Sequence, residues 1–278
     1  MAAFMRGFCS AEQGGHMITS HSNPKVKQVA QWQANARERR GAGIFLSEGF
    51  KMCEEAPEQS IREIYVTPQA LEKAKEQPLI RERLEQLGYE LVDGQVFQRM
   101  SDTQTPQGIL CVVERPEYSM EQLLSGPAPL LAVLEDLRDP GNLGTILRTG
   151  EGAGVTGIVM SQGTVDIYNP KTIRATMGSI YRVPFLYTEN LCQAVEQMRE
   201  KGIRVYAAHL AGEKEYDGFC FRKGTAFLIG NEGRGRSGEL ADRADGLLRI
   251  PMEGQVESLN AAVSAALLLY EVHRQRKK

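Results

Sequence analysis

From Leu130 onward the chain alternates short apolar runs with longer stretches of helical spacing. That alternation restricts it to an α/β fold: a mostly parallel sheet with helices on both faces. Leu130–Leu134, Gly157–Met160, Val183–Leu186, Ile203–Ala207, Ala226–Ile229 and Leu247–Ile250 are predicted strands. Leu143–Ala153, Pro170–Met177, Leu191–Lys201 and an apolar closing stretch, Leu259–Arg274, are predicted helices. In such a sheet ligands bind beyond the carboxyl ends of the strands. The residues that follow predicted strands are therefore the place to look for chemistry.

The first half reads as a smaller α/β unit. Asn23–Arg40 has helical spacing with Pro24 at a position that tolerates it. Gly43–Leu46, Ile61–Val66, Glu90–Val92 and Gly108–Val113 are predicted strands; Glu48–Ala56 and part of Gln69–Leu87 are predicted helix, and Val96–Met100 is a short element. Residues 1–20 are read as a disordered extension, with neither the apolar core nor the cleavage site of a signal peptide, and Met17 as an alternative start. This gives a domain at 21–115 and a second at 130–278. The Pro- and Gly-rich stretch 116–129 is expected to link them, around a short helix at Met120–Leu124.

Three turns carry candidate chemistry. The first, Asp136-Leu-Arg-Asp-Pro-Gly-Asn-Leu-Gly144, leaves a strand and opens a helix. Asn142 is a candidate cap, free N–H groups at the helix start suit an anion, and Arg148 lies further along the same helix. The second, Gly230-Asn-Glu-Gly-Arg-Gly235, follows a strand, and its glycines allow close backbone approach to a ligand. Read forwards it is neither a dinucleotide fingerprint nor a phosphate loop. The third runs from Ile250-Pro-Met-Glu-Gly254 through Glu257-Ser-Leu-Asn260 into the last helix, with Ser258 as its expected N-cap and Asn260 near its first turn. Taken singly, each is also an ordinary capped turn, and most of the last helix is ordinary core.

Formal net charge is −2, so nucleic-acid binding requires positive charge gathered on one face. The five cysteines include no Cys-x-x-Cys, and the four histidines have no metal-ligand spacing. No metal and no disulfide framework are expected, and a reducing cytoplasm fits. No run of eighteen apolar residues is present, so no membrane span is expected.

In order and spacing, the three turns resemble the SpoU (TrmH-like) RNA 2′-O-ribose methyltransferases of the SPOUT superfamily. Asn142, Gly144, Arg148 and Thr149 match one motif, Gly230-Asn-Glu-Gly233 a second, and Ile250-Pro-Met with Glu257-Ser-Leu-Asn260 a third. Met177-Gly-Ser-Ile-Tyr-Arg-Val-Pro184 is similar to an intervening segment. Gly150 and Glu151 depart from the family's small residues after Arg-Thr. Asn23-Pro-Lys-Val-Lys27, Phe45-Leu-Ser-Glu-Gly49 and Ser101–Gly108 resemble the family's L30e-like RNA-binding domain.

The resemblance implies a carboxyl-terminal trefoil knot, which periodicity alone would never suggest. It also implies S-adenosyl-L-methionine as cofactor, a homodimer with its active site at the interface, and methylation of a ribose 2′-hydroxyl. Matched residue by residue, Gly230, Asn231, Ile250, Met252, Ser258 and Leu259 are expected at the cofactor. Arg148, Asn142, Glu232, Ser258 and Asn260 are expected at the reacting groups. Structured RNA, ribosomal before transfer RNA, would be held by Lys25, Lys27, Arg37, Arg39, Arg40, Lys171, Arg174 and Arg182, each of which is otherwise a solvated surface charge. Two competing readings are an inactive RNA-binding protein of the same fold and a nucleotide-dependent oxidoreductase. The intact Asn142, Arg148, Glu232, Ser258 and Asn260 weigh against the first, and the missing glycine fingerprint against the second.

Overall fold

The computed structural model describes residues 16–209, 212, 214–230, 238–256 and 258–277. The chain divides into two compact units, Met1–Arg115 and Pro116–Lys278.

The first unit holds α1 (Pro24–Ala34), α2 (Ala36–Ala42), β1 (Ile44–Glu48), α3 (Phe50–Glu55), β2 (Ile61–Val66), α4 (Pro68–Ala74), α5 (Pro78–Leu87), β3 (Glu90–Leu91), α6 (Gly94–Met100) and β4 (Ile109–Glu114). Its sheet order is β1-β4-β2-β3, with β4 antiparallel to both neighbours and β3 parallel to β2. The single helix predicted over 23–40 is two. Asn35 is extended and its side chain accepts from the N–H groups of Arg37 and Glu38, so it ends α1 and caps α2. The predicted 69–87 helix likewise splits before Pro78, which opens α5. Ile18 is already part of this unit, although it falls within the expected extension. Its N–H donates to Leu91 O (2.8 Å), its carbonyl accepts from Asp93 N (2.9 Å), and its side chain is buried against Val26, Val29 and Phe97.

The second unit holds α7 (Met120–Leu123), β5 (Leu130–Leu134), α8 (Pro140–Ala153), β6 (Gly157–Ser161), α9 (Pro170–Thr176), β7 (Phe185–Thr188), α10 (Leu191–Glu200), β8 (Arg204–Ala208), β9 (Lys214–Glu215), β10 (Thr225–Ile229), α11 (Gly238–Ala241), β11 (Gly246–Arg249) and α12 (Ala261–Arg276). Its strands form one parallel sheet in the order β7-β6-β5-β10-β8-β11-β9. β5 and β10 are buried on both faces, as their uninterrupted apolar sequences require. The stretch expected as a linker belongs to this unit. Ser119 and Gln122 form a capping box on α7, and Leu123 is fully buried beside Gly157, where a Cβ would stand 2.3 Å from Leu123 Cγ. Burying a leucine stabilises by about 1.5–3 kcal/mol, which outweighs the flexibility that proline and glycine suggest here.

Two packing details fix the first turn. α8 lies so close to α9 that a Cβ on Gly144 would come within 2.5 Å of Ala175 Cβ and 2.6 Å of Thr172 O. Alanine there would force the two helices apart, an overpacking that costs about 1–3 kcal/mol. α8 also packs on α12, whose small residues Ala261, Ala262 and Ala265 are buried. Among the described residues no helix is long and apolar enough to cross a membrane.

Candidate active site

The four central strands β5, β10, β8 and β11 are adjacent and parallel, so their carboxyl ends share one edge of the sheet. That geometry gathers the first and third turns and the start of the second. Leu134 and Ile229 are register partners, and Glu135 N donates to Ile229 O at 3.0 Å. Gly230 therefore starts the second turn beside the root of the first. The third turn leaves β11 on the far side of β8.

Asn142 and Asn260 meet across 118 residues of sequence: Asn260 Nδ2 donates to Asn142 Oδ1 at 3.1 Å. Their helix positions differ from expectation. Asp139, not Asn142, caps α8, its Oδ1 accepting from Asn142 N at 2.7 Å. Asn260, not Ser258, caps α12, its Oδ1 accepting from Ala262 N and Val263 N. The reason is the same at both ends. Each helix starts where the side chain can reach back to free N–H groups, and this leaves the Asn142 side chain and the Asn260 amide nitrogen for the cleft.

Two cavities open here. One, of about 120 Å³, is lined by Ala208, His209, Ile250, Met252, Ser258, Leu259 and Ser264. The other, of about 570 Å³, is lined by Asp139, Asn142, Ser258, Leu259 and Asn260. Ser258 and Leu259 belong to both, so they form the shared wall. Ile250, Met252, Ser258 and Leu259, expected at the cofactor, thus line the smaller cavity, and the expected Asn142 and Asn260 line the larger. Asn231 and Glu232 lie outside the described residues. Sequence reasoning missed Ala208, His209 and Ser264. The first two sit at and just past the end of β8, so the rule of strand carboxyl ends could have found them.

Arg148 is exposed on α8, and among the described residues no hydrogen bond or ion pair engages its guanidinium. Glu151, the departure from the family pattern, makes a partner for Arg182: the two form an ion pair, and Ser179 Oγ donates to Glu151 Oε2 at 2.5 Å. The hydrogen bond from Arg182 holds the Glu151 carboxyl below its usual range, against the opposing effect of partial burial. Of the expected RNA-holding charges, Arg39 is misassigned. It is buried and donates to the carbonyls of Trp32 (2.7 Å) and Gln33 (3.1 Å), joining α1 to α2. Lys25 pairs with Glu90 at 2.6 Å, and Lys171 lies 3.5 Å from Asp139 Oδ2. Lys27, Arg37 and Arg40 are exposed, and Arg174 is partly exposed near the end of α9.

The second unit is a parallel sheet with a cavity and a cleft sharing one wall at its carboxyl edge, the place where ligands of such sheets bind. The family model for SpoU rRNA methylases matches residues 129–270, and that for an MRM3-like substrate binding domain matches residues 23–111. The Bacillus subtilis 23S rRNA (guanosine(2553)-2′-O)-methyltransferase RlmP is 34% identical over 258 residues, covering 92% of this chain and 98% of its own. An AdoMet-bound rRNA methyltransferase from Sinorhizobium meliloti superposes with a TM-score of 0.80 at 29% identity, covering 93% of this chain and 97% of its own. The SpoU methyltransferase AviRb from Streptomyces viridochromogenes superposes with a TM-score of 0.81 at 25% identity, over 92% and 98% of the two chains. The chain belongs to the SpoU rRNA methylase family.

Proposed function

We propose that this protein transfers a methyl group from S-adenosyl-L-methionine to a ribose 2′-hydroxyl of ribosomal RNA. It is an S-adenosylmethionine-dependent RNA methyltransferase of its family. The observation that carries the reading is the Asn260–Asn142 hydrogen bond beside a wall shared by two cavities. It joins the cofactor turn to the turn that leads to Arg148.

The lining of the smaller cavity suits part of the cofactor. Ile250, Met252 and Leu259 offer apolar walls to an adenine, while Ser258, Ser264 and His209 offer polar groups. Bound there, S-adenosylmethionine supplies an electrophilic methyl on a sulfonium. Leu259 excludes water from the wall between donor and acceptor, which favours a reaction that consumes opposite charges. Asn142 and Asn260 orient the ribose in the larger cleft. Arg148 holds a phosphate and stabilises the oxygen as its proton leaves through phosphate or water, because a guanidinium stays protonated and is a poor base.

Ribosomal RNA is favoured by RlmP, which matches both units of this chain, and the substrate-binding match over residues 23–111 gives the first unit the role of holding it. Lys27, Arg37 and Arg40 are the cations of that unit best exposed to RNA. The place of action would be the cytoplasm. The strand order supports the knot that the family implies: β10 enters between β5 and β8, and β11 between β8 and β9. Gly212, between β8 and β9, lies where a Cβ would stand 2.6 Å from Leu248 C, as a tight crossing of backbones requires. Tritium transfer from labelled S-adenosylmethionine to ribosomal RNA lacking its 2′-O-methyl groups tests the activity. A single labelled ribose is expected; label on a base, or none, would refute it.

A homodimer is part of the same reading. Val263, Leu267 and Tyr270 recur at helical spacing on α12 and are 47%, 36% and 48% exposed. Such a stripe costs solubility unless a partner covers it. Leu267→Lys is expected to convert a dimer into monomers in sedimentation equilibrium. A wild-type chain that sediments as a monomer would end the idea.

A further inference from the structure

We propose that Asp136 and Ser161 form a clasp that positions the Asp139–Asn142 turn for catalysis, making Asp136 a positioning residue for the reaction proposed above. Asp136 stands two residues beyond β5 with φ 52°, and Met177 is the other non-glycine residue with positive φ among those described. A side chain persists in this left-handed conformation only where its surroundings enforce it. The enforcement is visible. Asp136 N donates to Ser161 Oγ at 2.8 Å, and the same hydroxyl donates to Asp136 Oδ1 at 2.8 Å. Ser161 ends β6, the strand paired with β5, so the clasp ties neighbouring strand ends together.

The surroundings fit the clasp closely. Thr164 Oγ1 lies 3.1 Å from Ser161 Oγ and donates to Leu134 O at 3.3 Å. Gly163 leaves the space the carboxylate needs, since a Cβ there would stand 2.1 Å from Asp136 Oδ1. The next residue, Leu137, is fully buried, and its carbonyl accepts from Val165 N at 2.8 Å. Arg138, exposed, reaches to 3.9 Å from Asp136 Oδ2. The residue after Arg138, Asp139, caps α8 through Asn142 N. The direction in which the chain leaves Asp136 therefore sets where Asn142 and α8, with Arg148, begin. No wall residue of the smaller cavity lies on this turn. The clasp should act on the methyl acceptor's side and leave cofactor binding alone.

Glycine makes the same turn without strain and loses the carboxylate bond of the clasp while keeping the backbone N–H on Ser161 Oγ, so Asp136→Gly separates positioning from stability. The variant is expected to melt no lower than the wild type and to bind S-adenosylmethionine within about twofold. Its kcat for ribosomal RNA should fall between about tenfold and a hundredfold, with KM little changed, as misplacement of reacting groups does. Asp136→Asn, which tolerates the left-handed region and keeps the acceptor oxygen, should retain about half the activity or more. Ser161→Ala, which removes both bonds, should lower kcat at least as far as Asp136→Gly, and the double variant should be no slower than Ser161→Ala. Wild-type turnover by Asp136→Gly overturns the clasp, as does a parallel loss of melting temperature, cofactor affinity and turnover. Absence of transfer by the wild-type enzyme would instead count against the proposed reaction itself.

Discussion

Arg148→Ala is expected to lower methyl transfer to ribosomal RNA by about a hundredfold to a thousandfold, the range seen when one preorganised donor to a developing oxyanion is removed. S-adenosylmethionine affinity should stay within about twofold, because Arg148 lines neither cavity wall around the cofactor. The residue is exposed on α8, and among the described residues nothing hydrogen-bonds to its guanidinium or pairs with it, so its removal breaks no such contact of the fold. Its helix is fixed at Gly144 against α9 and at Asn142 against Asn260, which sets where the arginine starts from. Arg148→Lys keeps the charge but loses the planar fork, and should fall between wild type and alanine. Single-turnover tritium transfer with calorimetry of cofactor binding measures both quantities. An alanine variant that turns over at the wild-type rate would remove Arg148 from the mechanism.

The second large effect concerns stability. Arg276, in the last turn of α12, donates to four backbone carbonyls: Phe221 O at 3.0 Å, Ala128 O at 2.8 Å, Pro129 O at 3.4 Å and Lys223 O at 2.6 Å. It thereby pins the end of α12 to the segments that lead into β5 and β10, and its partial burial lowers the guanidinium pKa. Hydrogen bonds to a charged group contribute about 1.5–3 kcal/mol, and their loss leaves carbonyls unmatched. Arg276→Ala should destabilise the second unit by about 2–4 kcal/mol, a fall of several degrees in melting temperature at about 2–4 °C per kcal/mol for this size. Arg276→Lys recovers little, because one ammonium cannot span four carbonyls. Equal melting temperatures for wild type and Arg276→Ala would show that the Arg276 contacts do not hold the end of α12 by themselves. Gln275 supplies part of the same attachment, accepting from Phe221 N at 2.8 Å and donating to Phe219 O at 2.8 Å. A Gln275→Ala change in the Arg276→Ala background is the fair control for redundancy.

Much of the second unit was legible because its strands are continuous apolar runs. Leu130–Leu134 is predicted and found to the residue, and Ala226–Ile229 is extended by a single threonine. The errors lie where a side chain decides against spacing. Asn35 interrupts an otherwise continuous helical pattern by bonding to N–H groups ahead of it. Asp139 and Asn260 claimed the helix starts from Asn142 and Ser258. Prolines and glycines between 116 and 129 suggested a linker, but Leu123 and Leu124 are buried in the core of the second unit. β9 and α11 escaped notice because two and four residues carry no readable period.

The sequence alone determined the parallel sheet, the family resemblance and the identity of most cleft residues, since apolar periodicity and motif spacing are local properties. Only the tertiary structure decided that β10 and β11 enter beside β8, that Asn142 touches Asn260, that Arg39 is buried and that Ser161 holds Asp136. Those facts depend on which strand ends become neighbours. Strand order follows from burial of the whole sheet, and no window of the chain encodes it.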